Sequence, residues 1–370
     1  MTRRDAFPPG DYIREELDAR GLSQLDLAHI MDRPIQMVNE LVNGKKAVTP
    51  ETAYELGAAF GTSAEMWLTL ETAYRLASTD PDTDAIRRRA GLFKAAPIRE
   101  MQRRHWIRAT TNAQELDREL TGFVGEEPLS AAARMTMTDG DRPTASQAMW
   151  FIRARMLGSA LPTRPYDEAK FDAMITKLRP NFLYRNKVRH VPTILSNYGI
   201  RFVIIEHLSG SKIDGAALWL DKTSPVVAVS LRYGRVDWFW FTLLHELTHI
   251  RHRDEGILID ANLVGKGATP SAIKPEVERR ADREAANALI PEAMMESFIS
   301  RVGPIHSKDR IVQFAHTMRV HPGIVVGQLQ YRSEIPYRAN REMLVDVRQH
   351  ITATTGLVDG LGHVIDPDSL

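Results

Sequence analysis

The 370-residue chain reads as a mainly α protein with one small β-sheet, an α+β chain. Three observations predict this. Residues 11 to 76 fall into five short helical segments with clear stops. Three Val- and Ile-rich segments between Arg201 and Leu231 read as strands, separated by Gly, Asp, Lys and Ser turns. A long apolar segment, about Val236 to Arg253, follows them directly and carries helical periodicity.

Bulk composition sets the limits. Hydrophobic residues make up 43% and charged residues 26% of the chain, an ordinary globular balance over a length that suits more than one domain. The net charge of +1 excludes a polyanion binder by gross charge, so any nucleic-acid surface must be a local patch. With no cysteine there are no disulfides and no thiolate metal sites, and a metal must be held by His, Asp or Glu. The opening MTRRDAFPPGDY lacks the apolar stretch of a secretion signal, and runs such as WFWFTLL are too short to cross a bilayer. The expected compartment is the cytoplasm, with no membrane partner.

In chain order, the first helix runs from Asp11 to Arg20 and stops at Gly21. Ser23 is a good N-cap for a second helix from Gln24 to about Met31. Pro34 suits the first turn of a third, which Asn43-Gly44 ends. Thr49-Pro50-Glu51 opens a fourth, closed by Gly61, and Ser63 caps a fifth that contains Trp67 and Leu68. Leu22, Leu25, Leu27, Ile30, Val38, Leu41 and Leu56 recur at helical spacing and predict a small core. A boundary is expected at Ser78-Thr79-Asp80-Pro81-Asp82, and another at Leu161 to Pro165. Between them the basic run Arg87 to Arg89 reads as a solvated helix face, and helices are expected at Pro97 to Trp106 and Ala113 to Leu120. Helices at Glu168 to Leu178 and around Pro192 to Tyr198 precede the strands Arg201 to Leu208, Ala216 to Leu220 and Pro225 to Leu231. After the long helix come further helices at 275 to 290, Asp309 to Met318 and Pro322 to Tyr331. The implied organisation is a five-helix domain at 1–76, a helical linker region at 77–167, a second domain at 168–335 and a C-terminal extension at 336–370.

The long helix contains His245-Glu246-Leu247-Thr248-His249. Residues i and i+4 share one helix face, so His245 and His249 can hold one ion. Glu246, next to the first histidine, is placed to act as a base without being a ligand. The alternative is a pair of hydrogen-bonded core histidines, although burying two imidazoles on so apolar a helix without partners is unfavourable. A catalytic zinc needs a third protein ligand. His252 lies seven residues from His245, about 10 Å along the axis, and reads as an outer or surface residue. The helix at 275–290 offers Glu276, Glu278, Asp282 and Glu284, with Ala281, Ala285 and Ala288 to let it pack closely. Spacing alone does not choose between Glu278 and Asp282. For a group that stabilises an oxyanion, His306, His316, His321 and Tyr331 are available, each more simply read as structural.

The run Phe241-Thr242-Leu243-Leu244-His245-Glu246-Leu247-Thr248-His249, with Glu278-x-x-Ala281-Asp282-x-x-Ala285 and Leu289-Ile290-Pro291, resembles the ImmA/IrrE family of metallopeptidases. Asp214-Gly215-Ala216-Ala217 and Pro225-Val226-Val227 are also similar to that family. The resemblance covers residues 168–335. It implies a zincin-like fold, one Zn2+ per chain on His245, His249 and Glu278, Glu246 as general base, and hydrolysis of a peptide bond in a regulatory protein. The chain departs from the family at Asp282 and Glu284, where Asn and an aromatic residue are usual.

Ser23 to Asn43 match a helix-turn-helix, whose second helix enters the major groove. Arg33, Ile35, Gln36 and Asn39 would face base edges, since Gln and Asn can bond adenine in two places. Gln24, Lys45 and Lys46 are placed to bond phosphates. The bland reading is a small helical bundle with a polar surface. Pro8-Pro9-Gly10, Leu17-x-x-Arg20-Gly21-Leu22-Ser23-Gln24, Asn43-Gly44-Lys45 and Thr49-Pro50-Glu51-Thr52-Ala53 with Trp67 resemble the HigA-type antitoxins of the Xre-like repressor group. That resemblance implies a homodimer on a palindromic double-stranded operator. The joint expectation is a transcriptional regulator or antitoxin fused to a zinc endopeptidase. Its partners would be operator DNA and a protein substrate or cognate toxin, in a toxin–antitoxin or phage-defence operon. The competing expectation is a non-catalytic antitoxin that keeps the zinc fold as a scaffold or sensor.

Overall fold

The computed structural model describes residues 7–79, 83–125, 143–254, 258–261, 274–352 and 358–359. The chain divides into two compact units after Arg87.

The first unit holds α1 (Pro9–Arg20), α2 (Gln24–Ile30), α3 (Ile35–Val42), α4 (Pro50–Phe60) and α5 (Ala64–Ser78). The expected caps are in place. Ser23 Oγ accepts from the Asp26 N–H while the Asp26 carboxylate accepts from the Ser23 N–H, a closed capping box. Thr49 and Ser63 accept from the N–H groups of Thr52 and Met66. Pro34 stands one place earlier than expected, as the N-cap residue of α3. The core holds Ile13, Leu17, Leu27, Val38, Leu41, Leu56 and Trp67, whose indole N–H donates to Thr62 Oγ1 at 2.8 Å. Leu25 and Ile30, expected in that core, are each 53% exposed. Each stands two positions from a buried neighbour, Leu27 or Ala28, and so on the opposite side of a seven-residue helix. Asp80-Pro81-Asp82, part of the expected boundary, lies outside the described residues.

A sixth helix, α6 (Thr83–Ala95), spans the division. The second unit continues with α7 (Ile98–Arg103), α8 (Ala113–Val124), α9 (Ala145–Ala160), α10 (Phe171–Leu178) and α11 (Val191–Asn197). Then come β1 (Arg201–Ile205), β2 (Ile213–Trp219), β3 (Pro225–Val229), α12 (Val236–His252) and β4 (Leu258–Ala261). It closes with α13 (Glu276–Leu289), α14 (Glu292–Val302), α15 (Lys308–Met318), α16 (Pro322–Tyr331), α17 (Arg348–Thr352) and β5 (Val358–Asp359).

Among the described residues the sheet has five strands in the order β4-β2-β3-β1-β5, so β4 and β5 join the three expected. β1 runs parallel to β3 and β5, and β2 runs antiparallel to β3 and β4. Side chains alternate between the two faces. Phe202, Ile204, Ala217, Val227 and Val229 join one core with Trp240, Leu243, Leu244 and Leu247 of α12. Val203, Ile205, Ala216, Leu218, Val226 and Ala228 join the other with Met149, Trp150 and Leu157 of α9. Both faces are covered, which is why β3 reads as an unbroken apolar run.

Described residues of the 77–167 region, expected as a linker, pack into the second unit. The region's helix α9 caps the second face of the sheet, and the Trp150 indole N–H donates to Ile205 O at 3.0 Å. The C-terminal extension also joins the unit: β5 extends the sheet beside β1, and Arg153 Nε donates to the buried Asp359 carboxylate at 2.5 Å. Among the described residues no helix is long and apolar enough to cross a membrane.

Candidate metal centre and nucleic-acid face

Helix α12 is buried on nearly every side, as expected of a helix apolar all round. One side rests on the sheet. Along another, Asp237, Phe241, His245 and His249 follow at four-residue steps; Asp237 lies against Gly327 of α16, and His245 and His249 meet α13. Ala281 and Ala285 of α13, both fully buried, permit the close approach.

Three buried donors converge there, on His245, His249 and Glu278. His245 Nε2 lies 3.1 Å from His249 Nε2 and 3.1 Å from Glu278 Oε2, and His249 Nε2 lies 3.6 Å from Glu278 Oε1. Tetrahedral ligands about 2.1 Å from one zinc stand about 3.4 Å apart, so the donor set fits the ion. The far side of each imidazole strengthens the fit. His249 Nδ1 is 2.8 Å from Asp254 Oδ2, and His245 Nδ1 is 3.1 Å from Asp282 Oδ1. With the ring protons on the Nδ1 atoms, facing these carboxylates, both Nε2 lone pairs and the Glu278 carboxylate point at one place, which suits a cation.

Geometry separates the two carboxylates that spacing left open. Glu278 faces the Nε2 atoms; Asp282 sits behind His245, where Lys274 Nζ donates to its Oδ2 at 2.6 Å. Asp254 plays the matching part for His249 and accepts a second hydrogen bond from Arg280. Burial alone would raise the Asp254 carboxyl, yet the hydrogen bonds and charges of His249 and Arg280 hold it below the ordinary carboxylate value. Sequence reasoning passed over Asp254. Its signal is the helix end: Arg253 takes the left-handed conformation and Asp254 N–H bonds back to His249 O, so the next side chain returns to the histidine.

Glu246 is fully buried and lies against β2. A side chain at Gly215 would collide with Glu246 Oε1 and stand 2.9 Å from Thr242 Cγ2, so only glycine leaves room for the carboxylate. His252 is apart from the centre, on the surface, 2.9 Å from Glu284 Oε1. Of the oxyanion candidates, His306 is buried beside Phe298, with no hydrogen bond at either ring nitrogen. His321 accepts from the Gly323 N–H at the start of α16 and is a structural cap.

In the first unit, Val38, Leu41 and Val42 face the core and turn the rest of α3 outward. Ile35, Gln36 and Asn39 form one exposed stretch with Arg33 just before it, and Lys45 and Lys46 are exposed beyond its end. Gln24, at the start of α2, is partly buried. Three of these groups already have partners, Gln36 among them, whose Nε2 donates to Glu40 Oε1 at 3.1 Å. Both Arg33 Nε and Nη2 donate to Glu55 Oε1, at 3.0 and 2.5 Å. Asn39 Oδ1 accepts from Asn43 at 2.7 Å.

Residues 13–67 match the helix-turn-helix family. The uncharacterized HTH-type transcriptional regulator YddM of Escherichia coli is 38% identical over 81 residues, 22% of this chain and 86% of that protein. Virulence-associated protein I of Dichelobacter nodosus is 37% identical over 82 residues, 22% of this chain and 76% of that protein. Among solved structures, an addiction module antidote protein of a HigA family from Coxiella burnetii shares 33% identity, covering 20% of this chain and 82% of that one, with a TM-score of 0.20. By the match over residues 13–67 and the extent of these regulators that it spans, the chain belongs to the helix-turn-helix family of HTH-type transcriptional regulators.

Proposed function

We propose that the chain is a DNA-binding regulator whose second unit carries a zinc-dependent peptidase centre. One observation carries the enzymatic half: the buried donors of His245, His249 and Glu278 converge while Glu246 lies on the next residue of the same helix. When bound, zinc supplies Lewis acidity for a scissile carbonyl. The chain's own residues supply the rest. Asp282 and Asp254 orient the two imidazoles. Gly215 makes room for the Glu246 carboxylate, whose Oε atoms take a proton from the attacking water and return it to the leaving amine. The substrate would be a regulatory protein: a repressor, an antitoxin or the chain itself.

The DNA-binding half rests on the family match and on the exposed stretch of α3. Gln36 and Asn39 would reach base edges, and Lys45 and Lys46 would reach phosphates. The similarity to HigA-type antitoxins suggests a homodimer on a palindromic operator and a toxin as partner.

The burial of the centre favours a second reading. Glu246 and His245 are fully buried and Glu278 is 4% exposed, which suits a closed metal site that serves as scaffold or sensor. One experiment separates the two: zinc content and intact mass of wild type and Glu246→Gln, alone and with the product of a neighbouring gene. The peptidase predicts one zinc per chain in both, and a fragment that the variant makes about 10²–10⁴-fold more slowly. One zinc and no fragment leaves the scaffold; no zinc sinks the metal centre.

A further inference from the structure

Between α12, α13 and α16 the second unit holds a cavity of about 70 Å³. It adjoins the candidate metal centre. Phe241, one turn before His245, forms part of its wall, and so does Asp282, whose other face meets His245 Nδ1. Ala286, Leu289 and Ile324 make most of the remainder apolar.

Besides the carboxylates of Asp237 and Asp282, the Gln328 amide brings an acceptor to that wall. Gln328 is 9% exposed. Its Nε2 donates to Ala286 O at 3.0 Å, which fixes the orientation of the amide, and its Oε1 receives no hydrogen bond. Such an acceptor calls for a donor. The Asp237 carboxylate that also borders the cavity is already forked by Arg235, at 3.0 and 2.5 Å. Size narrows the occupant further. A cavity of about 150 Å³ holds benzene, so half that volume takes roughly three or four heavy atoms.

We propose that this cavity receives the side chain of a substrate residue beside the scissile bond, and that it selects a small branched side chain, threonine first and valine next. The proposal rests on the peptidase reading. The threonine methyl group packs on Leu289 and Ile324 while its hydroxyl donates to Gln328 Oε1. Valine has the same shape without the donor. Larger and charged side chains do not enter.

The test uses the full zinc-loaded chain and a peptide library randomised around the cleaved bond. Wild type should select threonine and valine at one flanking position, with threonine ahead by about five-fold, the value of one net hydrogen bond. Gln328→Leu should erase the preference for threonine over valine, and Ala286→Leu should shift selection to glycine and alanine, both with zinc stoichiometry intact. A flanking preference for large or charged residues, or a profile that neither variant alters, overturns the proposal. A second readout separates this idea from the reading beneath it: binding of N-acetyl-threonine N-methylamide followed by NMR. Binding that Ala286→Leu abolishes, with no peptide cut by wild type, keeps the pocket and removes the peptidase. No binding by wild type removes the pocket.

Discussion

Replacing Asp254 by alanine leaves all three proposed zinc ligands in place and removes only what holds one of them. The Asp254 carboxylate lies 2.8 Å from His249 Nδ1 and, accepting a proton there, would hold the ring in the tautomer that turns its Nε2 lone pair toward the centre. Hydrogen bonds to a charged group contribute about 1.5–3 kcal/mol. Loss of an outer carboxylate costs about 10–100-fold in metal affinity, which is about 1.4–2.8 kcal/mol at 1.4 kcal/mol per decade. The two ranges agree, so Asp254→Ala is expected to raise the zinc Kd about 10–100-fold. A competition titration against a chromophoric chelator measures it, and urea unfolding in excess chelator separates metal affinity from fold stability. Glu284→Gln is the control, because its partner His252 is on the surface with side chains 31% and 38% exposed. It should leave the zinc Kd unchanged. Equal effects of the two substitutions would refute the role given to Asp254, since a surface pair would then matter as much as a buried one.

Gly215→Ala places a methyl group against Glu246 Oε1. It should cost about 1–3 kcal/mol in unfolding free energy and slow peptide cleavage, with one zinc still bound. In operator binding, Gln36→Ala should relax discrimination at one base position by about 1–3 kcal/mol, whereas Lys45→Ala should weaken all sequences alike and lower the salt slope by about one; fluorescence anisotropy across salt concentrations tells them apart. Acid stability tests Glu100. Burial raises its carboxyl, but the Ser209 N–H and the Arg104 guanidinium, at 2.9 and 2.6 Å, outweigh that and hold it below the ordinary value of 4.5. A depressed folded pKa gives stability that is present above the unfolded value and lost as pH falls through the folded one. Urea midpoints from about pH 6 to about pH 3 should therefore drop more steeply for wild type than for Glu100→Gln.

Local chemistry was readable where it is written in adjacent residues. Ser23, Thr49 and Ser63 announce their helices because a cap acts on N–H groups two or three places away. His245 and His249 announce a shared face because helix geometry alone sets it. Leu25 and Ile30 misled because a short helix buries only a narrow stripe, and residue type does not say which side faces in. The choice of Glu278 over Asp282 needed the packing of α12 on α13, which no spacing within either helix contains. The same holds for β5 and for α9. Each is stabilised by partners far away in the chain, Arg153 with Asp359 and Trp150 with Ile205 O, and the 77–167 region looked like a linker because its partner surface lies beyond it.

Helix α12 packs Trp240, Leu243, Leu244 and Leu247 into one apolar core with the sheet residues Phe202, Ile204, Ala217, Val227 and Val229, beside the candidate metal centre. Small zinc domains collapse when stripped, because the ion is their core. Here the core is apolar and complete beside the site, so chelation should yield a folded apo chain that reloads without refolding. If the centre holds zinc as proposed, such a chain would keep its integrity while the metal came and went, and zinc supply would act as a reversible input, read out in occupancy rather than in the amount of protein.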